Sequence, residues 1–200
     1  MRKKITTLLL PLSLILALLP LSANRSFTGK PDNLLSDVLV PDVTLSVDQV
    51  ARLIVLEDST FQLIDLRSSE DFRKLCIPGS ANVPYPDFIK NDPEIYLGNK
   101  NIKTIFYSNG DFDSNYAMVY ARGLGYASYV MAGGLSEWLS TIMETRFTGG
   151  RISARENALF EIRSKAGKLF SELNTLPDSL KVKFMESKKF SAKKLDGGCE

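Results

Sequence analysis

The feature that most constrains this chain is an alternation along its middle. Residues 61–67 (FQLIDLR), 103–107 (KTIFY) and 127–131 (ASYVM) are short apolar runs bounded by turn residues, the pattern of buried strands. A shorter run, 81–83, is closed off by Pro84 and Pro86 and predicts a fourth strand. Helical signals fall between them. Ser46 is a good N-cap for a helix to about Leu56, and residues 69–75 suggest a short helix. Ser114 opens a helix with Ala117, Met118 and Ala121 on one face, ending at Gly123 and Gly125. Gly133 and Gly134 turn the chain into a last helix carrying Leu135, Trp138 and Ile142, with Trp138 filling the gap between helix and sheet. Strands separated by helices at this spacing predict an α/β fold, a central parallel sheet with helices on both faces. No internal repeat is present.

The ends differ from the middle. Arg2, Lys3 and Lys4 precede a leucine-rich run from Leu8 to Leu21 that ends in small residues at Ser22 and Ala23, the pattern of a cleaved export signal over 1–23. Pro11 and Pro20 interrupt that run, which is short for a membrane span. A periplasmic or secreted location is expected, with membrane contact only through an uncleaved signal or weak attraction to the lysine-rich tail. Residues 24–42 are polar, with Gly29, Pro31 and Pro41, and read as a linker or docking segment. Beyond Gly150, Ser153 and Glu156 form a capping-box pattern, and Leu159, Ile162, Ala166, Leu169, Phe170 and Leu173 follow at helical spacing. This predicts an amphipathic helix over 151–176, stopped by Pro177, that covers the domain. Residues 177–200 read as a flexible lysine-rich tail ending GGCE.

Charge excludes one class of partner. The formal charge of +2 includes the three N-terminal cations, and without them it falls to −1, so nothing in the electrostatics calls for nucleic acid. The two cysteines, Cys76 and Cys199, are too few for a disulfide framework. In an oxidising compartment they either pair or stay free as candidate thiols. Cys76, beside Ile77 and Pro78, reads as a small packing residue, and Cys199 as a thiol on a swinging tail.

Four blocks, in order, resemble the rhodanese-like domain. Leu63-Ile-Asp65-Leu-Arg67 with Glu70 and Phe72 resembles its strand ending in Asp-x-Arg. Ile77-Pro-Gly-Ser-Ala-Asn-Val-Pro84 resembles its proline–glycine turn, with Cys76 where a histidine is usual. Phe106-Tyr107-Ser108 and its loop fall where the catalytic strand and loop belong. Gly125-Tyr126, Val130, Gly133-Gly134 and Trp138 resemble the closing block. The resemblance covers roughly residues 43–143. It implies that the loop Ser108, Asn109, Gly110, Asp111, Phe112, Asp113, Ser114 is the active loop, with Asp65 and Arg67 bracing it from below. Its looser part, the YSN loop and the Gly-Gly-Cys tail, is similar to an exported bacterial subgroup.

Rhodaneses carry sulfur on a cysteine persulfide, cradled by loop amides and a helix N-terminus that favour negative charge. Serine at 108 cannot form a persulfide, and the chain holds no histidine to activate its hydroxyl. Asp111 and Asp113 add negative charge where an anionic donor would sit. They read as solvated carboxylates rather than cation ligands, and no metal or cofactor is implied. Gly110 comes one position earlier than the family's usual glycine. The expectation is a binding or regulatory module without classical thiosulfate sulfurtransferase turnover, its partner an unknown protein of the cell envelope. The alternatives are a sulfur-carrier or thiol-redox role for Cys199, or less so Cys76, and a serine hydrolase or phosphatase built on Ser108.

Overall fold

In the computed structural model, residues 43–98, 102–146 and 153–183 are described. The expected signal over 1–23, the linker over 24–42 and, of the expected tail over 177–200, the residues from 184 on with Cys199 lie outside them. The strands are β1 (Thr44–Leu45), β2 (Phe61–Asp65), β3 (Ser80–Asn82), β4 (Lys103–Tyr107) and β5 (Ser128–Met131). They form one sheet in the order β1-β5-β4-β2-β3, with every pairing parallel. The α/β architecture read from the alternation is therefore the one observed.

Parallel strands are covered on both faces, and the side-chain period of two sorts the residues accordingly. Leu63, Ile105, Tyr107 and Met131 point to one face, where they meet α1 (Val47–Val55), the helix that opens with Gly134, and the C-terminal helix. Ile64, Phe106 and Val130 point to the other, with Phe88, Leu97, Ala117, Met118 and Ala121. That second layer is made by α3 (Tyr85–Lys90), α4 (Glu94–Leu97) and α5 (Phe112–Gly123). The remaining helix, α2 (Ser69–Lys74), links β2 to β3.

Local chemistry sets the element ends. Ser46 caps α1 in a capping box: its Oγ accepts from the Gln49 N–H at 3.3 Å while Gln49 Oε1 accepts from the Ser46 N–H at 2.7 Å. Four readings shift. Strand β3 begins at Ser80 rather than Ala81, since Ser80 already pairs with Leu63. Pro84 and Pro86 do not merely end that strand; their fixed φ suits a first turn, and they open α3. Helix α5 starts at Phe112, not Ser114, because the Asp111 carbonyl already accepts from the Asn115 N–H at 3.0 Å. Ser114 sits inside the first turn, its hydroxyl donating back to the same carbonyl at 3.0 Å. The edge strand β1 was not anticipated, being only two residues long.

Helix α6 (Gly134–Trp138) runs on into a wider π-helical turn, Leu139–Met143. Helix α7 (Ala154–Thr175) is the expected C-terminal helix, shorter than 151–176 at both ends. Ser153 and Glu156 form its capping box, and Leu176 turns extended before Pro177. Ala166, Phe170 and Leu173 are buried on its inner face, and Phe170 lies 6.2 Å from the fully buried ring of Trp138. Each large apolar side chain covered this way contributes about 1.5–3 kcal/mol of transfer free energy. Arg163 adds a two-bond ion pair to Asp48 of α1, both contacts at 2.7 Å.

Two residues of the C-terminal segment fasten it to the β2–β3 connection. The Asn174 side chain pairs with the Cys76 backbone as a neighbouring strand would: Cys76 N–H donates to Oδ1, and Nδ2 donates to the Cys76 carbonyl, both at 2.9 Å. Lys181 is buried, and its ammonium donates to the Arg73 carbonyl at 2.9 Å at the end of α2. The extension is thus part of the domain's core.

Candidate functional site

The loop from Ser108 to Asp111 leaves the carboxyl end of β4, a central strand, and feeds the N-terminus of α5. That is where open α/β sheets bind ligands. The loop is held by its neighbour α6. The Ser108 carbonyl accepts from the Leu135 N–H at 2.8 Å, and the Asn109 carbonyl accepts from the Ser136 N–H at 3.1 Å and its hydroxyl at 2.8 Å. Loop carbonyls thereby cap the first turn of α6. The carboxylate of Asp111 accepts from the Gly133 N–H at 2.6 Å instead of capping its own helix.

This contact explains the glycine pair. Gly133 and Gly134 have φ of +69° and +57°, the left-handed region. A β-carbon on Gly134 would stand 2.4 Å from the Ser108 carbonyl oxygen.

Ser108 is 5% exposed, and its hydroxyl donates to Asp113 Oδ2 at 3.2 Å, a long bond for O–H···O. The sixth residue of the loop motif thus folds back onto the first. Ser114 is fully buried and serves the helix start. Asn109 and Gly110 are exposed, and so is Phe112, whose ring packs edge-on against exposed Tyr116 at 4.8 Å. Burial, and then the charge of Asp113, push the Tyr85 hydroxyl's pKa up.

Asp65 and Arg67 form a buried pair. Arg67 Nε lies 3.0 and 3.1 Å from the two carboxylate oxygens, and its Nη2 donates to the Leu75 carbonyl at 2.6 Å. Neither residue hydrogen-bonds to loop 108–114. Their link to it is Tyr107, the residue before Ser108, whose ring lies 5.9 Å from the Arg67 guanidinium. The Tyr107 hydroxyl donates to Ser80 Oγ at 3.0 Å and accepts from the Ile77 N–H at 3.3 Å. Bracing therefore acts through the strand end and the proline–glycine turn. Cys76 lies in that turn, fully buried and in no disulfide among the described residues, with its thiol pKa pushed up to about 11 by burial. A thiol so placed is a poor nucleophile.

A serine beside a carboxylate does not make a hydrolase. In serine triads the carboxylate orients an imidazole, which takes the proton. This chain has none. Among the described residues no group of His, Cys, Asp or Glu is placed to hold a metal ion.

The loop, its helix and the Asp65–Arg67 pair were legible in the sequence. The fold-back of Asp113, the latch from Asp111 to Gly133, the ring contact of Phe112 with Tyr116, and the Asn174 clamp were not. Only the clamp left a trace, as a lone amide one turn beyond Phe170 on an otherwise regular apolar stripe.

The family model described as the rhodanese-like domain matches residues 46–141. Solved structures similar to this chain include an uncharacterized protein from Saccharomyces cerevisiae, with 26% identity over 48% of this chain and 90% of that one, at a TM-score of 0.42. The rhodanese-like domain of an Anabaena protein shares 19% identity over 56% and 88%, at a TM-score of 0.44. The single-domain sulfurtransferase RDL2 of Saccharomyces cerevisiae shares 20% over 48% and 88%, at a TM-score of 0.42. No curated protein matches. Residues 46–141 of this protein are a rhodanese-like domain.

Proposed function

We propose that this rhodanese-like domain is a binding or regulatory module that does not pass sulfur through position 108. The observation that carries the reading is the contact between Ser108 Oγ and Asp113 Oδ2. Sulfur transfer from thiosulfate requires a thiolate to attack the outer sulfur, form a new S–S bond and release sulfite. An alcohol in place of the thiol forms no persulfide, and a carboxylate against it repels the dianionic donor. The exposed Phe112–Tyr116 pair beside that carboxylate offers a contact surface of the kind interfaces favour. With residues 1–23 read as an export signal, the partner is a protein of the cell envelope, in the periplasm or outside, and not nucleic acid.

The test is a thiosulfate:cyanide sulfurtransferase assay on the purified chain, with mass spectrometry for persulfides. Wild type is expected at background, and equal to Ser108→Ala. Turnover that disappears in Cys199→Ala would overturn the reading in favour of a tail-borne sulfur carrier. Turnover lost only in Ser108→Ala would overturn it at the loop itself.

A further inference from the structure

At the mouth of the loop, the first two turns of α5 present two rings to solvent. Phe112 is 72% exposed and Tyr116 54%, and they stand four residues apart on one face of the helix, edge to face at 4.8 Å. Asp113 follows Phe112 and precedes Tyr116 by three residues, a spacing that makes side chains neighbours on a helix. Among the described residues its carboxylate enters no ion pair and accepts from the Ser108 hydroxyl alone. Residues 104–121 hold two acids, Asp111 and Asp113, and no Lys or Arg. Asp111 is engaged by the Gly133 N–H, which leaves Asp113 as the available charge.

The interior of the domain shows what completes such a set. Asp65 holds the Arg67 guanidinium, which lies 5.9 Å from the centroid of the Tyr107 ring. The guanidinium of Arg122 lies 5.9 Å from the Tyr129 ring. Both distances are those of a cation attracted to a ring face. At the loop a carboxylate and two rings are offered outward, on a stretch that carries no cation of its own. A guanidinium suits them better than an ammonium. It is planar, weakly hydrated, and can stack on a ring while its N–H groups pair with a carboxylate.

We infer that this surface binds an arginine side chain of a partner protein, the guanidinium laid on the Phe112 and Tyr116 rings and paired with Asp113. This rests on the reading of the domain as a binding module and gives the partner its chemistry. The charge that repels a dianionic sulfur donor is then the charge that attracts the partner.

The probe is the capped tripeptide acetyl-Gly-Arg-Gly-amide, titrated into the isotope-labelled full chain and followed by amide chemical shifts. Saturable shifts are expected at residues 109–116. Binding should be at least about threefold tighter than for the lysine counterpart, and absent for the citrulline counterpart, which keeps the shape without the charge. Phe112→Ala and Asp113→Asn should each weaken it about two- to fivefold, with β4 amides unshifted as the control for folding. No shifts at 109–116, equal binding of the lysine or citrulline peptide, or an affinity unchanged in both variants would overturn the inference. The thiosulfate assay on the same preparation separates the two readings. Turnover through Ser108 sinks the binding module itself, whereas background turnover without arginine binding sinks only the arginine site.

Discussion

Asn174→Ala removes the clamp between α7 and the turn that carries Cys76. Three hydrogen bonds go with it: Cys76 N–H to Oδ1, and Nδ2 to the carbonyls of Cys76 and Phe170, each at 2.9 Å. The last is replaceable, because Phe170 also belongs to the helix ladder. The first two are not, since Cys76 is fully buried. Each net hydrogen bond is worth about 0.5–1.5 kcal/mol, and a buried backbone group left without a partner costs about 1–3 kcal/mol. The two orphaned groups of Cys76 together set the cost at about 2–6 kcal/mol. Each kcal/mol lowers Tm by about 2–4 °C in a chain of 150–250 residues, so Tm should fall by roughly 4–24 °C. The assay is urea denaturation followed by fluorescence of Trp138, the chain's one tryptophan, which packs on Phe170 of the same helix. A second readout is local: in a Cys199→Ala background, Cys76 should react faster with a thiol reagent as the turn opens. A change in stability below about 0.5 kcal/mol, with no gain in Cys76 reactivity, would refute the reasoning and leave α7 docked by apolar contact alone.

Four further outcomes follow from named contacts. Gly134→Ala should cost about 3–4 kcal/mol, from a left-handed alanine and the lost cap between loop 108–109 and α6, as measured by urea denaturation. Arg67→Ala strands the Asp65 carboxylate in a buried site and should cost about 3–5 kcal/mol in the same assay. Arg163→Ala breaks a pair whose side chains are 28% and 27% exposed and should cost only about 1 kcal/mol, less at high salt. The Cys76 thiol holds its proton to about 11 when folded, whereas the unfolded chain releases it near the ordinary value of about 8.5. Folded protein therefore binds more protons in that window, and stability should fall by up to about 1.4 kcal/mol per pH unit between pH 9 and 11. Cys76→Val should flatten that slope.

What the sequence disclosed divides along a physical line. The layered fold was legible because burial imposes a period of two on strands and 3.6 on helices, and caps such as Ser46 and Ser153 act within three residues. The loop position was legible because Ser108 directly follows the apolar end of a strand, Ile105-Phe106-Tyr107. The hidden parts all join residues far apart in sequence. Asp111 latches Gly133, Asn174 clamps Cys76, and Tyr107 spans to Ile77 and Ser80. Such pairings leave no local periodicity, and a lone polar residue does not announce its partner. The misplaced start of α5 has the same origin: Ser114 looked like a cap because its tertiary surroundings, which bury it fully, were invisible.

The loop's contacts also separate what the fold needs from what chemistry needs. The carbonyls of Ser108 and Asn109 cap α6, Asp111 fixes the glycine turn, and Tyr107 holds the proline–glycine turn. Every one of these bonds uses backbone, or a side chain other than that of residue 108. The Ser108 Oγ makes a single long hydrogen bond, to Asp113. Exchanging sulfur for oxygen at that atom therefore perturbs no contact on which the sheet or α6 depends. Selection on stability is blind to the exchange, and selection on sulfur transfer is not. A rhodanese-like domain with serine at this position can thus keep its whole architecture, loop included.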